Sequence, residues 1–285
     1  MDYKLTQKDM ADIRQAAMVA QKADVAVLVL GETAGMVGEG FSRAFVELPL
    51  IQQELLRAVY AANNNVVLLI ASGRPLAIHW EMKNLPAIVS IWHLGQEAGN
   101  AVADVLVGDY NPSGKTVMSW PRFSGQCPVH YNYKPTGRPA FKNQGLYTKH
   151  MDLPDSLLIP FGHGLSYTTF KYGQATISSP TLKKGETITV SVDITNIGKS
   201  AGTETAQLYI RDMVASVTRP VKELKGFVQL EIQPGETKSA SFSLTEEDVR
   251  FYNQQLHHVS EPGDFKVFVG SSSDDVLELS FALVE

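Results

Sequence analysis

Short apolar runs rich in valine recur along the first third of the chain, and they constrain its fold more than any other feature. Residues 24–30 read DVAVLVL, and comparable runs occupy residues 66–71 and 87–92. Apolar runs of this length are typical of parallel strands that are buried on both faces. Three stretches with helical spacing alternate with them, at residues 8–22, 49–62 and 95–107. This alternation predicts a layered α/β fold with helices on the faces of a mostly parallel sheet.

The predicted sheet is small. The region begins with a helix and contains only three strong strands, whereas a sheet usually has about five or six. We therefore expect an α/β sandwich domain that is truncated at its N-terminus. Residues 111–165 are rich in Pro, Gly and Tyr and show little periodicity. Because a structureless loop of that length is unusual in a compact domain, we expect an ordered arm that wraps the surface and completes a domain spanning residues 1–171.

The remaining residues, 172–285, have the texture of an all-β domain. Short alternating segments are separated by turn signals such as Lys184-Gly185 and Pro234-Gly235. The predicted strands cover residues 187–195, 204–211, 221–232, 237–244, 265–270 and 276–283. About seven such strands predict a β-sandwich. The mixed charge of its outward residues favours a structural or docking module.

Composition excludes several classes of function. A formal net charge of -5 and the lack of a basic stripe argue against a nucleic-acid partner. No apolar run reaches the roughly 20 residues needed to cross a bilayer, so no membrane segment is expected. Cys127 is the single cysteine and is expected to pack as a small apolar residue. The seven histidines show no ligand spacing, so we predict no metal and no cofactor.

The loop after the first apolar run carries the candidate site. Glu39 lies between Gly38 and Gly40, and ligands of α/β sheets gather beyond the carboxyl ends of such strands. Flanking glycines let a ligand approach closely and leave the carboxyl group as the reactive feature of the loop. These residues alone also fit an ordinary solvated acid, or an ion-pair partner for Arg43.

Other signatures are incomplete or open to two interpretations. The run GDYNPSGKT at residues 108–116 resembles a phosphate-binding loop, but its spacing is one residue too long and Pro112 removes an amide. A turn is the better interpretation, and a nucleotide-binding protein is disfavoured. His93 could line the same sheet edge as Glu39 or be a hydrogen-bonded structural histidine. Trp92 could be an apolar platform for a sugar or a core tryptophan.

Together the motifs resemble glycoside hydrolase family 3 β-glucosidases over nearly the whole chain. The run GEGFSR with Leu48-Pro49 resembles the active-site loop of the second domain in that family. Further motifs follow in the same order: WHLGQEAGNA from residue 92, GDYNPSGK from 108, PFGHGLSYTTF from 160 and RPVKELKGF from 219. The resemblance implies an α/β sandwich domain followed by a fibronectin III-like domain, both from the C-terminal half of a longer enzyme.

The resemblance also implies roles for residues. Glu39 matches the general acid/base of a retaining enzyme that removes terminal non-reducing β-D-glucosyl residues, with Glu32 as the nearest competitor. Arg43 is the candidate substrate-binding residue of the same motif. Ser42 stands where many family members have aspartate, which weakens any role carried over to that position.

The expected partner is an absent domain. In this family the nucleophile belongs to an N-terminal (β/α)8 barrel, so the chain is expected to be inactive, or nearly so, on its own β-glucoside substrate. The alternative is a non-catalytic carbohydrate-binding or scaffolding module that docks a partner, or a homo-oligomer that covers its own apolar surface. Members of the family are often periplasmic or secreted, which is the localisation that the resemblance implies.

Overall fold

The computed structural model of the chain describes residues 4–135 and 150–285. The chain divides into two compact units, Met1–Leu106 with Trp120–Pro128, and Val107–Ser119 with Val129–Glu285. The first has a parallel sheet with helices and the second is all-β, which confirms the predicted fold class. The predicted domain boundary between residues 171 and 172 stays a prediction, and part of the predicted arm, residues 136–149, lies outside the described residues.

The first unit alternates helices and strands as predicted. Its elements are α1 (Gln7–Ala20), β1 (Ala26–Gly31), α2 (Leu50–Ala62), β2 (Val66–Ala71), α3 (His79–Asn84), β3 (Ala87–Ser90) and α4 (Ala98–Val107). The strands form a parallel sheet in the order β1-β2-β3. Of these elements only α3 was not predicted, and a short 3₁₀ helix at Ser124–Gln126 was not predicted either. Helix α3 has six residues and no side-chain cap, so its sequence lacks the usual signals of a helix.

The core of the first unit surrounds its central strand. In β2, Val66, Leu68 and Ile70 are fully buried, which is the burial expected of a strand paired on both sides. Helix α2, which packs against α1 and β1, contributes the buried residues Leu56 and Val59 to the core. In α1, a capping box orients the first turn, since Thr6 and Asp9 satisfy each other's backbone amides.

One face of β1 is open to solvent. Val25, Val27 and Val29 are 46%, 49% and 61% exposed, whereas the alternate residues Leu28 and Leu30 are buried. Successive side chains of a strand point to opposite faces, so these valines share one uncovered face of the sheet. Helix α4 likewise has no buried residue despite its apolar sequence. No helix in the described part of the chain is long and apolar enough to span a membrane.

The second unit contains two main sheets, which are antiparallel except for the parallel pair of β6 and β14. Its first elements are β4 (Phe170–Tyr172), β5 (Thr176–Ile177), β6 (Thr181–Lys183), β7 (Thr187–Asn196), β8 (Gly202–Asp212), β9 (Glu223–Ile232) and β10 (Thr237–Thr245). The chain continues through α5 (Glu246–Val249), β11 (Phe251–Tyr252), β12 (His258–Val259), β13 (Gly263–Gly270) and β14 (Val276–Val284). One sheet has the order β10-β7-β4 with β5 beside β7, and the other has the order β6-β14-β13-β8-β9.

The core of this unit lies between alternating inward residues of the long strands. Ile188, Val190, Val192 and Ile194 of β7 are buried, as the period of two in the sequence predicts. The six long predicted strands are all present. The short strands β4, β5, β6, β11 and β12 were missed because two or three residues carry no periodicity of their own.

Cys127 does not pack in the interior as expected. The thiol-bearing residue is exposed and unpaired. The largest buried side chain of this segment is instead that of Trp120, which is 1% exposed and lies with its ring centroid 6.1 Å from that of Trp92. The large aromatic side chain, not the small cysteine, therefore anchors residues 120–128 to the first unit.

Candidate active site

Strand β1 ends in a glycine that no other residue could replace without strain. Gly31 has a φ of +141°, and a Cβ at this position would lie 1.8 Å from the carbonyl oxygen of Ala71. The side chain of Gln52 on α2 then continues the hydrogen bonding of the strand. Its Nε2 donates to the carbonyl oxygen of Gly31 at 2.9 Å, and its Oε1 accepts from the amide of Gly31 at 2.8 Å. These contacts fix the point at which the loop begins.

Glu32, the first residue of that loop, is buried in a double ion pair. Its side chain has no exposed surface. Oε1 accepts from Nη1 of Arg43 at 2.9 Å, and both carboxylate oxygens lie within 3.2 Å of Nε of Arg74. A buried carboxylate needs such partners because burial without them costs several kcal/mol. Proton transfer from Glu32 to a substrate would require both ion pairs to break.

Glu39 is exposed, at the turn of the same loop. Its neighbours Gly38 and Gly40 have φ values of +144° and +79°, which are conformations that favour glycine. The amide of Phe41 donates to the carbonyl oxygen of Gly38 at 3.1 Å and closes the turn around Glu39. The carboxyl group is therefore presented to solvent by a backbone shape that depends on both glycines.

Arg43 has partners other than Glu39. Besides its bond to Glu32, its Nη2 donates to the carbonyl oxygen of Glu47 at 3.0 Å. The interpretation of Glu39 as an ion-pair partner for Arg43 is therefore wrong. The side chain of Arg43 is about one-fifth exposed, and its role in binding substrate stays a prediction.

Arg74 contacts the loop at three places. It follows β2, and its Nη2 donates to the carbonyl oxygens of Met36 at 3.0 Å and Phe41 at 3.2 Å. Its Nε faces Glu32. The sequence analysis missed this residue, although a signal was present: Arg74 follows a buried parallel strand just as Glu32 does. Residues after neighbouring parallel strands meet at the same edge of the sheet.

A serine holds the far end of the loop. Ser124 Oγ donates to Oε1 of Glu47 at 2.7 Å and accepts from the amide of Val46 at 2.8 Å. The loop that carries Glu39 is thus fixed at Gly31, at Glu32 and at residues 46–47, while its middle is exposed. The carboxyl group of Glu39 is therefore exposed on a loop whose two ends are held in place.

The other aromatic and histidine candidates lie after β3. Trp92 is half-buried with a φ of +45°. Its ring packs at a tilt against that of the buried Trp120, as expected of a residue at the edge of the core. His93 is exposed, and burial therefore does not support a structural role for it. Among the described residues no group of three or more His, Cys, Asp or Glu side chains could hold a metal ion.

Family models match most of the chain. The glycosyl hydrolase family 3 C-terminal domain matches residues 4–167, and the fibronectin type III-like domain matches residues 204–273. The first match covers more than half of the sequence and includes the loop with Glu32, Glu39 and Arg43, as well as Arg74.

Individual proteins are similar over nearly the full chain. A periplasmic beta-glucosidase of Salmonella typhimurium is 45% identical over 96% of this chain, and a beta-xylosidase of Formosa agariphila is 42% identical over 94%. The crystal structure of a beta-glucosidase from Listeria innocua in complex with glucose superposes with a TM-score of 0.91 over 99% of the chain at 40% identity. The chain spans only 36%, 37% and 39% of the lengths of these three proteins.

Proposed function

Because this chain belongs to glycosyl hydrolase family 3, we propose that it is the C-terminal portion of a retaining β-glucosidase and supplies the general acid/base Glu39. The nucleophile comes from a domain outside these residues. This proposal rests on one observation above all: of the two carboxylates in the loop, Glu39 is exposed, whereas Glu32 is buried between two arginines. Only Glu39 can meet a substrate without disruption of the fold.

Two proton transfers define the proposed role. In the first step, protonated Glu39 donates to the glycosidic oxygen while the nucleophile attacks the anomeric carbon and the bond to the leaving group breaks. In the second step, ionised Glu39 takes a proton from water, which attacks the same carbon and releases the sugar with retained configuration. A retaining enzyme holds its two carboxyl groups about 5 Å apart, so the partner domain has to place its nucleophile at that distance.

The proposed substrate is a terminal β-D-glucoside. Two of the three proteins described above are named beta-glucosidases and one is named a beta-xylosidase. Glucose and xylose differ by one hydroxymethyl group, so a comparison of phenyl β-glucoside with phenyl β-xyloside tests the assignment directly. A higher kcat/KM for the xyloside would change the assigned sugar without changing the proposed role of Glu39.

We propose a periplasmic or secreted location on the basis of the Salmonella protein, which is named periplasmic. Fractionation of the organism that produces the chain, followed by detection with an antibody, tests this. Recovery with the cytoplasmic fraction would contradict the proposed location.

The exposed valine face of β1 favours a second candidate, a non-catalytic module that docks a partner or a second copy. Light scattering combined with an activity assay separates the two proposals. The catalytic proposal predicts that addition of the missing domain produces hydrolysis that depends on Glu39. The docking proposal predicts association without hydrolysis.

The decisive experiment uses a chimera in which this chain replaces the matching segment of the Salmonella periplasmic β-glucosidase. We expect no turnover of an aryl β-glucoside by the chain alone and clear turnover by the chimera. Glu39→Gln in the chimera should reduce kcat/KM on phenyl β-glucoside by about 10²- to 10⁴-fold, the usual contribution of a general acid. The exposed Glu54, which pairs with Arg57, supplies the matched control Glu54→Gln, which should leave the rate unchanged.

Azide gives an independent readout of the second step. In Glu39→Ala, azide can attack the glycosyl-enzyme intermediate without a general base and form β-glucosyl azide. Acceleration by azide with formation of this product supports the role of Glu39. Full activity of Glu39→Gln, or robust hydrolysis by the lone chain, would overturn the proposal.

A further inference from the structure

We infer that Arg74 is a positioning residue that holds the Glu39 loop in its working shape, an inference that rests on the proposed function of Glu39. The guanidinium donates to the carbonyl oxygens of Met36 and Phe41, which precede Glu39 by three residues and follow it by two. The same side chain is paired with Glu32 at the root of the loop. The planar guanidinium of Arg74 therefore connects the residues on both sides of Glu39 to Glu32, where the loop begins.

The turn needs an external support of this kind. Glycine loses more conformational freedom on ordering than any other residue, and Gly38 and Gly40 flank Glu39 on both sides. A Cβ at Gly40 would meet no atom within 4 Å, so the backbone there has no close packing partner. Besides the bond from the Phe41 amide to the Gly38 carbonyl, the hydrogen bonds from Arg74 restrict a carbonyl on each side of Glu39.

The two residues that precede Arg74 are also packed at the end of β2, and Gly73 lies directly against the Glu39 loop. A Cβ at Gly73 would fall 2.2 Å from Cγ2 of Val37, so only glycine allows this approach. Ser72 is fully buried, and its Oγ donates to the carbonyl oxygen of Arg74 at 2.6 Å. Residues 72–74 bend the chain at the end of β2, and their contacts connect the Glu39 loop to the central strand of the sheet.

Arg43 cannot replace this function. Its guanidinium bonds to Glu32 and to the carbonyl of Glu47, so it ties together the two ends of the loop and contacts neither side of the Glu39 turn. Lysine at position 74 would keep a positive charge near Glu32. However, a single ammonium group lacks the planar fork that reaches a carboxylate and two carbonyls at once.

The inference predicts a specific kinetic signature. Departure of a poor leaving group needs a well-placed proton donor, whereas departure of a dinitrophenolate does not. Displacement of a catalytic group by about 1 Å can reduce a rate by about 10²-fold. Loss of the support from Arg74 should therefore impair the hydrolysis of phenyl β-glucoside and spare that of dinitrophenyl β-glucoside.

Arg74→Lys in the chimera tests this prediction, with Arg57→Lys at an exposed ion pair as the matched control. We expect kcat/KM for phenyl β-glucoside to fall by about 10- to 100-fold and that for dinitrophenyl β-glucoside by less than about 3-fold. The control should retain both rates. An equal fall on both substrates, or no fall on either, would refute the positioning role.

Hydrogen exchange of the chain itself provides a readout that does not depend on activity. Peptides covering residues 33–43 should exchange about tenfold faster in Arg74→Lys, as expected for the loss of one or two hydrogen bonds. They should be unchanged in Arg57→Lys and in Glu39→Gln. Unchanged exchange in Arg74→Lys would overturn the inference even if the proposed function of Glu39 holds.

The two proposals fail in different ways. If Glu39→Gln changes kcat/KM equally for phenyl and dinitrophenyl β-glucoside, the proposed function of Glu39 is wrong. The hydrogen-exchange experiment then still decides whether Arg74 orders the loop. If Glu39→Gln shows that dependence and Arg74→Lys does not, only the positioning role is refuted.

Discussion

Nη1 of Arg43 lies 2.9 Å from Oε1 of Glu32, and the glutamate side chain has no contact with solvent. Arg74 also forms an ion pair with Glu32. Glu32 and Glu39 are seven positions apart in one loop, yet they lie in different environments. Glu32 is fixed in the interior, and Glu39 is left exposed at the turn. The proposed role of Glu39 rests on this difference.

Glu32→Gln should strongly destabilise the first unit. The substitution removes the negative charge but leaves two arginines in place, and uncompensated buried charge costs about 3–5 kcal/mol. Denaturation in urea measures the change in the free energy of unfolding. The exposed pair of Glu54 and Arg57 offers the control Glu54→Gln, which should cost less than about 1 kcal/mol. Equal effects of the two substitutions would contradict the structural role of Glu32.

Gly31→Ala should be among the most damaging single-methyl substitutions. The new Cβ would overlap the carbonyl oxygen of Ala71, and the φ of +141° is unfavourable for alanine. Backbone strain and overpacking together should cost about 3 kcal/mol or more. Gly95→Ala is the matched control, since its Cβ would meet nothing within 4 Å. Thermal denaturation should show a large fall in Tm for the first variant and little change for the second.

The buried group of Lys115, Glu204 and Tyr172 should contribute to the stability of the second unit. Nζ of Lys115 lies 3.1 Å from Oε2 of Glu204, and the hydroxyl of Tyr172 donates to Oε1 at 2.9 Å. Burial, together with Glu204, raises the pKa of Tyr172, which keeps the hydroxyl a donor. Lys115→Met should cost about 3–5 kcal/mol because Glu204 loses its counter-charge.

A double-mutant cycle tests that explanation. Lys115→Met combined with Glu204→Gln should be less destabilising than the sum of the two single substitutions, since the uncompensated charge is gone. Strict additivity in urea denaturation would show that the ion pair is not the source of the effect.

Glu81 should make the stability of the first unit depend on pH. Burial raises the pKa of Glu81 above its ordinary value of 4.5, with Glu47 acting in the same direction and Arg57 opposing it. Between pH 4.5 and the raised folded pKa, the folded state therefore holds a proton that the unfolded state has lost, so the contribution of this group to stability falls as pH rises through that window.

Glu81→Gln removes that dependence. Relative to the unmodified chain, the variant should gain stability as the pH is raised from 4.5 to neutral, in urea denaturation at a series of pH values. A stability difference between the two proteins that does not change with pH would show that Glu81 is not the titrating group.

Local patterns were sufficient to predict the main elements. The three valine-rich runs predicted the parallel strands, and the period-two segments predicted the six long strands of the second unit. In each case the signal lies within about ten neighbouring residues, because strand burial repeats along the segment itself. Short elements such as α3 and β5 were not predicted because their own sequences contain too few positions to show a pattern, and β5 forms only by pairing with β7.

The position of Glu39 also followed from sequence alone, because its flanking glycines and the preceding strand are local features. Its exposure, and the burial of Glu32, could not be predicted in this way. The partners of Glu32 lie 11 and 42 positions away in the chain, and the more distant one, Arg74, is brought to Glu32 by the parallel pairing of β1 and β2. Sequence determined which elements form and which loop carries the acids. Tertiary structure decided which acid is enclosed by cations, because burial and charge pairing depend on residues that only folding brings together.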